Sequence, residues 1–139
     1  MAGKILVIDD DDTFLSSVER ALEAQGYSVW TATDGQDGME VARRERPDVI
    51  VVDLLMAPPN GFVVADELRT RPETQRAAIL VVSAVGKKLH KHFASPEIGA
   101  RLDVDGFLEK PVDLDVFVRR VEEMLQLARS RAEASGECS

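Results

Sequence analysis

The chain has 139 residues, 45% apolar and 30% charged, with a net charge of −8 and a single cysteine, Cys138. This length suits one domain, and no apolar run approaches the roughly 20 residues that a membrane-spanning helix needs. The acidic balance disfavours nucleic-acid phosphates, one cysteine cannot close an intrachain disulfide, and "MAGK" leads straight into a strand without a signal peptide; a cytoplasmic protein with no nucleic-acid or membrane partner is expected.

The first predicted element is a strand, "ILVI" at 5–8, which runs directly into four aspartates at 9–12. Two like charges about 4 Å apart cost roughly 4 kcal/mol at an effective dielectric near 20, so the crowding calls for solvent, a cation or raised pKa values. A helix over 13–25 follows, with Phe14, Val18, Ala21 and Leu22 on one face, Asp12 as its N-cap, Asp11 as a solvated neighbour and Gly26 as its stop. "YSVWTA" at 27–32 reads as a second strand, and 36–46 as a helix carrying Met39 and Ala42 that Pro47 ends. "VIVV" at 49–52 is a third strand, followed by a helix over 62–70 with Phe62, Ala65 and Leu68 on one face ahead of Pro72. "ILVV" at 79–82 is a fourth strand. Residues 84–105 should hold the next helix, but Pro96 and Gly99 interrupt the pattern. "GFL" at 106–108 is the fifth strand, and 114–128 places Leu114, Phe117, Val118, Val121, Leu125 and Ala128 at helical spacing behind Asp113 as N-cap. The domain is expected to span 1–128, with 129–139 a loose C-terminal tail.

Strand and helix alternate five times, and the first, third and fourth strands are continuous β-branched runs of the kind buried on both faces. The expected architecture is α/β, a doubly wound five-stranded parallel sheet flanked by helices on both faces. In such sheets ligands bind beyond the carboxyl ends of the strands. The first strand delivers Asp9 and Asp10 to that rim, the third Asp53, the fourth Ser83, and the fifth Lys110. Three converging carboxylates make a hard oxygen site of the kind magnesium accepts. A dinucleotide fold would need G-x-G-x-x-G after the first strand, where four aspartates would instead repel a pyrophosphate. His90 and His92, two residues apart, diverge on a helix and make a poor metal site.

The sequence resembles the receiver domain of two-component response regulators. The features that carry the resemblance are "VIDDD" after the first strand, "VVDLLM" and "NG" at 51–61, "VVSA" at 81–84 and "EKP" at 109–111, in the family's order over residues 4 to about 128. The resemblance implies a flavodoxin-like receiver fold. It makes Asp53 the phosphoacceptor, with Asp10, Asp53 and the backbone carbonyl of Leu55 holding Mg2+ and Asp9 assisting through water. Ser83 would hydrogen-bond a phosphoryl oxygen and Lys110 would pair with Asp53 and then with the phosphoryl group. Phe107 occupies the aromatic switch position, a role that competes with an ordinary core role, and Pro111 would follow a cis peptide bond. The implied partners are a histidine kinase or phosphotransfer protein and an unknown downstream target. The target would read the face of the fourth helix, fifth strand and fifth helix, with the chain a monomer or a weak phosphorylation-dependent dimer.

Three departures from the family pattern stand out. The family's proline at position 57 is Ala57 here, followed by Pro58 and Pro59; the span from Ser83 to Lys110 is a few residues longer than usual, with Lys87, Lys88 and Lys91 in it; and no output domain is expected after the receiver. The expectation is a single-domain regulator, or a receiver used alone, that acts as a signalling receiver rather than an enzyme. The alternative is a receiver-like interaction module that is never phosphorylated, although the acidic residues and the lysine are all present. A haloacid-dehalogenase-like phosphohydrolase would need a second acid at position 55, where Leu55 stands.

Overall fold

The computed structural model describes residues 3–84 and 103–134. Five strands, β1 (Lys4–Ile8), β2 (Ser28–Ala32), β3 (Val49–Val52), β4 (Ala78–Ser83) and β5 (Gly106–Glu109), form one parallel sheet in the order β2-β1-β3-β4-β5. The helices are α1 (Asp12–Ala24), α2 (Gly35–Glu45), α3 (Gly61–Thr70) and a C-terminal helix, Leu114–Ala134. The helix expected within 84–105 falls mostly on residues 85–102, outside the described residues.

Side chains alternate across a strand, so the central strands split their apolar residues between two faces. Leu6, Ile8, Ile50, Val52, Ile79 and Val81 face α2 and α3. Ile5, Val7, Val49, Val51, Leu80 and Val82 face α1 and the C-terminal helix, whose Phe117, Val121 and Leu125 complete that layer. The continuous β-branched runs are thus buried on both sides, and the doubly wound reading holds. No helix among the described residues is long and apolar enough to cross a membrane.

The helix starts follow capping chemistry, with one correction. Asp11, not Asp12, caps α1: its carboxylate accepts from the amides of Thr13 at 3.0 Å and Phe14 at 3.2 Å, and Asp12 is the first helical residue. An N-cap oxygen serves the amides two and three residues on, and in a run of aspartates the cap is the residue whose backbone is still extended. Asn60 caps α3 through the amides of Phe62 and Val63, and Asp113 accepts from those of Asp115 and Val116 as expected. Gly26 has φ +92 and ends the α1 region as a left-handed glycine.

The C-terminal helix differs from expectation at its far end. It continues past Ala128 to Ala134, so residues 129–134, expected in a loose tail, are helical. Polar rather than apolar contacts anchor this extension. Arg131 reaches back to the carboxylate of Asp105, just before β5, and Asp105 also accepts from Arg69 Nη2 at 2.5 Å and from the Ile79 amide at 2.8 Å. Arg69 in turn donates to the carbonyls of Ala77 at 2.7 Å and Gln75 at 3.0 Å. This clamp joins α3, the starts of β4 and β5, and the last helix at the amino-terminal edge of the sheet.

Candidate functional site

The opposite, carboxyl-terminal edge gathers the predicted residues. Hydrogen bonding carries the sheet pattern one residue beyond three strands. The amide of Asp9 donates to Ala32 O at 3.0 Å, that of Asp53 to Ile8 O at 3.0 Å, and that of Lys110 to Ser83 O at 2.9 Å. The backbones of the two central acids and the lysine are therefore fixed by the scaffold. Asp9 and Asp53 directly follow β1 and β3, the adjacent strands between which the winding reverses, where open α/β sheets form their crevice.

A close approach by α3 completes the floor. A Cβ on Gly61 would lie 2.2 Å from the carbonyl oxygen of Asp53 and 2.5 Å from Leu54 Cα. Only glycine lets α3 begin against the backbone of the acid itself. The loop between them contains a cis Pro58–Pro59 bond, and the Lys110–Pro111 bond is cis as well, as the resemblance implied for Pro111.

Asp9, Asp10 and Asp53 each place a carboxylate oxygen within 4.8 Å of the others. Asp9 is 1% and Asp53 6% exposed, whereas Asp10 faces solvent. Lys110 Nζ lies 2.6 Å from Asp9 Oδ2 and 3.3 Å from Asp53 Oδ2. The lysine was expected to pair with Asp53; it reaches that acid but sits closer to Asp9. One ammonium faces three carboxylates, so the site holds excess negative charge. Burial raises the pKa of Asp9 above the ordinary aspartate value; hydrogen bonds from Lys110 and the Asp11 amide offset only part of this, and the neighbouring Asp53 charge adds to it. Burial works against the Lys110 charge too, but the Asp9 hydrogen bond and the Asp9 and Asp53 charges outweigh it and raise its pKa.

Ser83 is fully buried at the end of β4, and its hydroxyl oxygen makes no hydrogen bond to any described residue. A buried hydroxyl without a partner is costly and points to a group that joins it. Leu55 turns back over the acid: its amide donates to Asp53 Oδ1 at 3.0 Å, while its side chain is 56% exposed. Phe107 is half-buried on β5 and packs against the core layer shared with α2 and α3. The Lys87, Lys88 and Lys91 cluster lies outside the described residues.

Sequence reasoning missed one neighbour of the lysine. Phe14, read only as part of the α1 apolar face, places its ring centroid 4.4 Å from Lys110 Nζ. Helical spacing marks Phe14 as inward-facing but says nothing of a contact 96 residues away.

Comparison with known proteins agrees with this fold. Residues 5–122 match the family model described as the response regulator receiver domain. Protein PilH of Pseudomonas aeruginosa is 30% identical over 123 residues, covering 88% of this chain and 98% of that protein. The transcriptional regulatory protein PrrA of Mycobacterium tuberculosis is 34% identical over 134 residues, covering 96% of this chain but 54% of PrrA, so against that relative the chain spans about half the length. Among solved structures, the chemotaxis protein CheY4 of Vibrio cholerae superposes with a TM-score of 0.79 at 25% identity, covering 89% of this chain and 99% of that one. The receiver domain of sensor histidine kinase PA1611 from Pseudomonas aeruginosa, solved with a magnesium ion coordinated in its active-site cleft, shares the fold with a TM-score of 0.79 at 21% identity, covering 91% of this chain and 99% of that one.

Proposed function

The chain belongs to the response regulator receiver domain family, and from that premise we propose that Asp53 accepts a phosphoryl group from a histidine kinase or phosphotransfer protein with magnesium bound beside it. Receiver domains of this family are signalling modules of two-component systems. The observation that carries the reading is the meeting of Asp53 with Lys110 Nζ at 3.3 Å, beside two more carboxylates, with the Ser83 hydroxyl buried at the end of β4 and without a hydrogen bond to any described residue.

The donor set fits magnesium. Three hard carboxylate oxygens with one solvent-facing member leave room for the waters this ion keeps. Asp10, Asp53 and the Leu55 carbonyl would hold it, with Asp9 assisting through water; the receiver domain of PA1611 carries magnesium in its own cleft. When bound, the ion supplies positive charge against the phosphoryl oxygens.

Transfer proceeds by attack of an Asp53 carboxylate oxygen on phosphorus. The P–O bond forms as the P–N bond to the donor imidazole breaks, its electron pair leaving on the ring nitrogen. Lys110, already in the carboxylate cluster, follows the charge as it moves onto the phosphoryl oxygens. Ser83 donates its hydroxyl to one of these oxygens and so couples the phosphorylated state to the end of β4. A target protein reads the change on the face that includes β5, the C-terminal helix and the segment before β5. The protein works in the cytoplasm, as a monomer or as a weak dimer formed on phosphorylation.

Mass spectrometry after incubation with acetyl phosphate and magnesium tests this reading. One phosphoryl adduct is expected, dependent on magnesium and lost in Asp53→Asn. An adduct that persists in Asp53→Asn, or no adduct in the native chain, overturns the assignment.

A further inference from the structure

The ammonium of Lys110 has three N–H groups, and two acids, Asp9 at 2.6 Å and Asp53 at 3.3 Å, take two of them. The ring of Phe14, centroid 4.4 Å from Nζ, stands within cation–π range. That ring is held in place from two sides. Its backbone amide is bound by the Asp11 cap at 3.2 Å, and its ring meets that of Phe117 edge-on, with centroids 6.0 Å apart and planes at 80°. Phe117 is fully buried in the core layer below. Phe14 therefore transmits the position of the core to the ammonium through two rings.

We infer that Phe14 is a positioning residue for Lys110: its aromatic face holds the ammonium on the carboxylate cluster and keeps water from its third N–H. The inference rests on the reading of Asp53 as phosphoacceptor. Four rotatable bonds give a lysine many alternative placements, and the closer acid here is Asp9 rather than Asp53. Charge alone would let Nζ settle wholly on Asp9. A ring adds an attraction of different direction, and its negative face answers the one N–H that neither acid takes. Phe14 and Lys110 also border a surface groove of about 450 Å³ with Ala84, Pro111 and Leu114. Without the ring this groove would widen toward the ammonium, and water would compete for it. An aliphatic side chain fills volume but offers no negative face, which makes the chemistry of position 14 separable from its packing.

The test compares Phe14→Tyr, which keeps the ring, with Phe14→Leu and Phe14→Met, which fill the space without one. NMR of the Lys110 side chain reads the geometry directly. Its terminal methylene and ammonium signals are expected to be displaced upfield by the ring in the native chain and in Phe14→Tyr, and to return toward ordinary lysine positions in Phe14→Leu and Phe14→Met. Phosphoryl uptake from acetyl phosphate should slow roughly two- to thirtyfold in the two aliphatic variants and stay within about twofold of native in Phe14→Tyr, the range set by the strength of such contacts. Equal uptake rates in the tyrosine and aliphatic variants, or Lys110 signals that carry no ring displacement in the native chain, overturn the inference. A native chain that takes up no phosphoryl group would overturn the proposed function, leaving the Lys110 signals to decide the role of Phe14.

Discussion

At the scale of single residues, the site divides labour between a rigid scaffold and a few exposed groups. Leu55 is the clearest case. It places an apolar, 56% exposed side chain beside the acid that its own amide binds. An apolar side chain cannot orient a water for attack on an acyl phosphate, so the phosphoryl group is expected to be long-lived. Leu55→Asn should shorten its lifetime by about tenfold, a modest share of what positioned acid–base groups contribute; decay of the phosphorylated form after removal of the phosphodonor measures it, and an unchanged decay rate places the control of water elsewhere. Lys110→Ala separates uptake from signalling. With Asp53 as the proposed nucleophile, some phosphorylation is still expected, while a phosphorylated form without the ammonium should bind its target poorly. Full target binding by phosphorylated Lys110→Ala would count against that role. Most of this site was legible in the sequence, because four of the five strands run into a polar or charged residue at the same edge. Which acid holds the lysine more closely was not, because that depends on the relative placement of two strands that never pair with β5. Nor was the cap legible, since any of several adjacent aspartates could serve until the backbone chooses.

At the scale of elements, the Arg69–Asp105–Arg131 clamp explains why the last helix outlasts its apolar pattern. Burial opposes charge on Asp105, but hydrogen bonds from Arg131 and the Ile79 amide and the charge of Arg69 outweigh it and hold the carboxyl below the ordinary aspartate value. A depressed folded-state pKa contributes stability that is fully present above the unfolded value, near 3.9, and is lost as pH falls through the folded value. Asp105→Asn should therefore lower stability at neutral pH by about 2 kcal/mol, the scale of charged hydrogen bonds lost while Arg69 and Arg131 keep their carbonyl partners. The difference from native should shrink as pH drops below about 4, and denaturant unfolding at several pH values tests this; a difference independent of pH would mean the clamp acts through packing. Sequence periodicity could not reveal the clamp. Arg69 and Arg131 stand at polar positions on two helices and Asp105 just before β5, and only the fold brings them together. The five strands, by contrast, carried their own signal in continuous or alternating apolar runs.

At the scale of the whole molecule, the net charge of −8 sits oddly with the basic stretch "GKKLHKHF" at 86–93, which falls outside the described residues. Complementary charges raise association rates and fade with salt. If an acidic partner docks there, reversing Lys87 and Lys88 to glutamate should slow association severalfold at low salt while phosphorylation of Asp53 proceeds normally; association that ignores both the reversal and the salt would leave the stretch an ordinary surface. The doubly wound sheet also has a consequence for how such a chain can vary. Its strands are only four to six residues long, with the acids and the lysine at one edge and the arginine clamp at the other. A library of single substitutions screened in parallel for thermal tolerance and for phosphoryl uptake should therefore sort by edge. Lesions near Asp105 would fall mainly in the first assay, and lesions near Asp53 in the second. A lineage could then retune its chemistry and its robustness as nearly independent traits, with Gly61, wedged against the backbone of Asp53, among the few positions answerable to both.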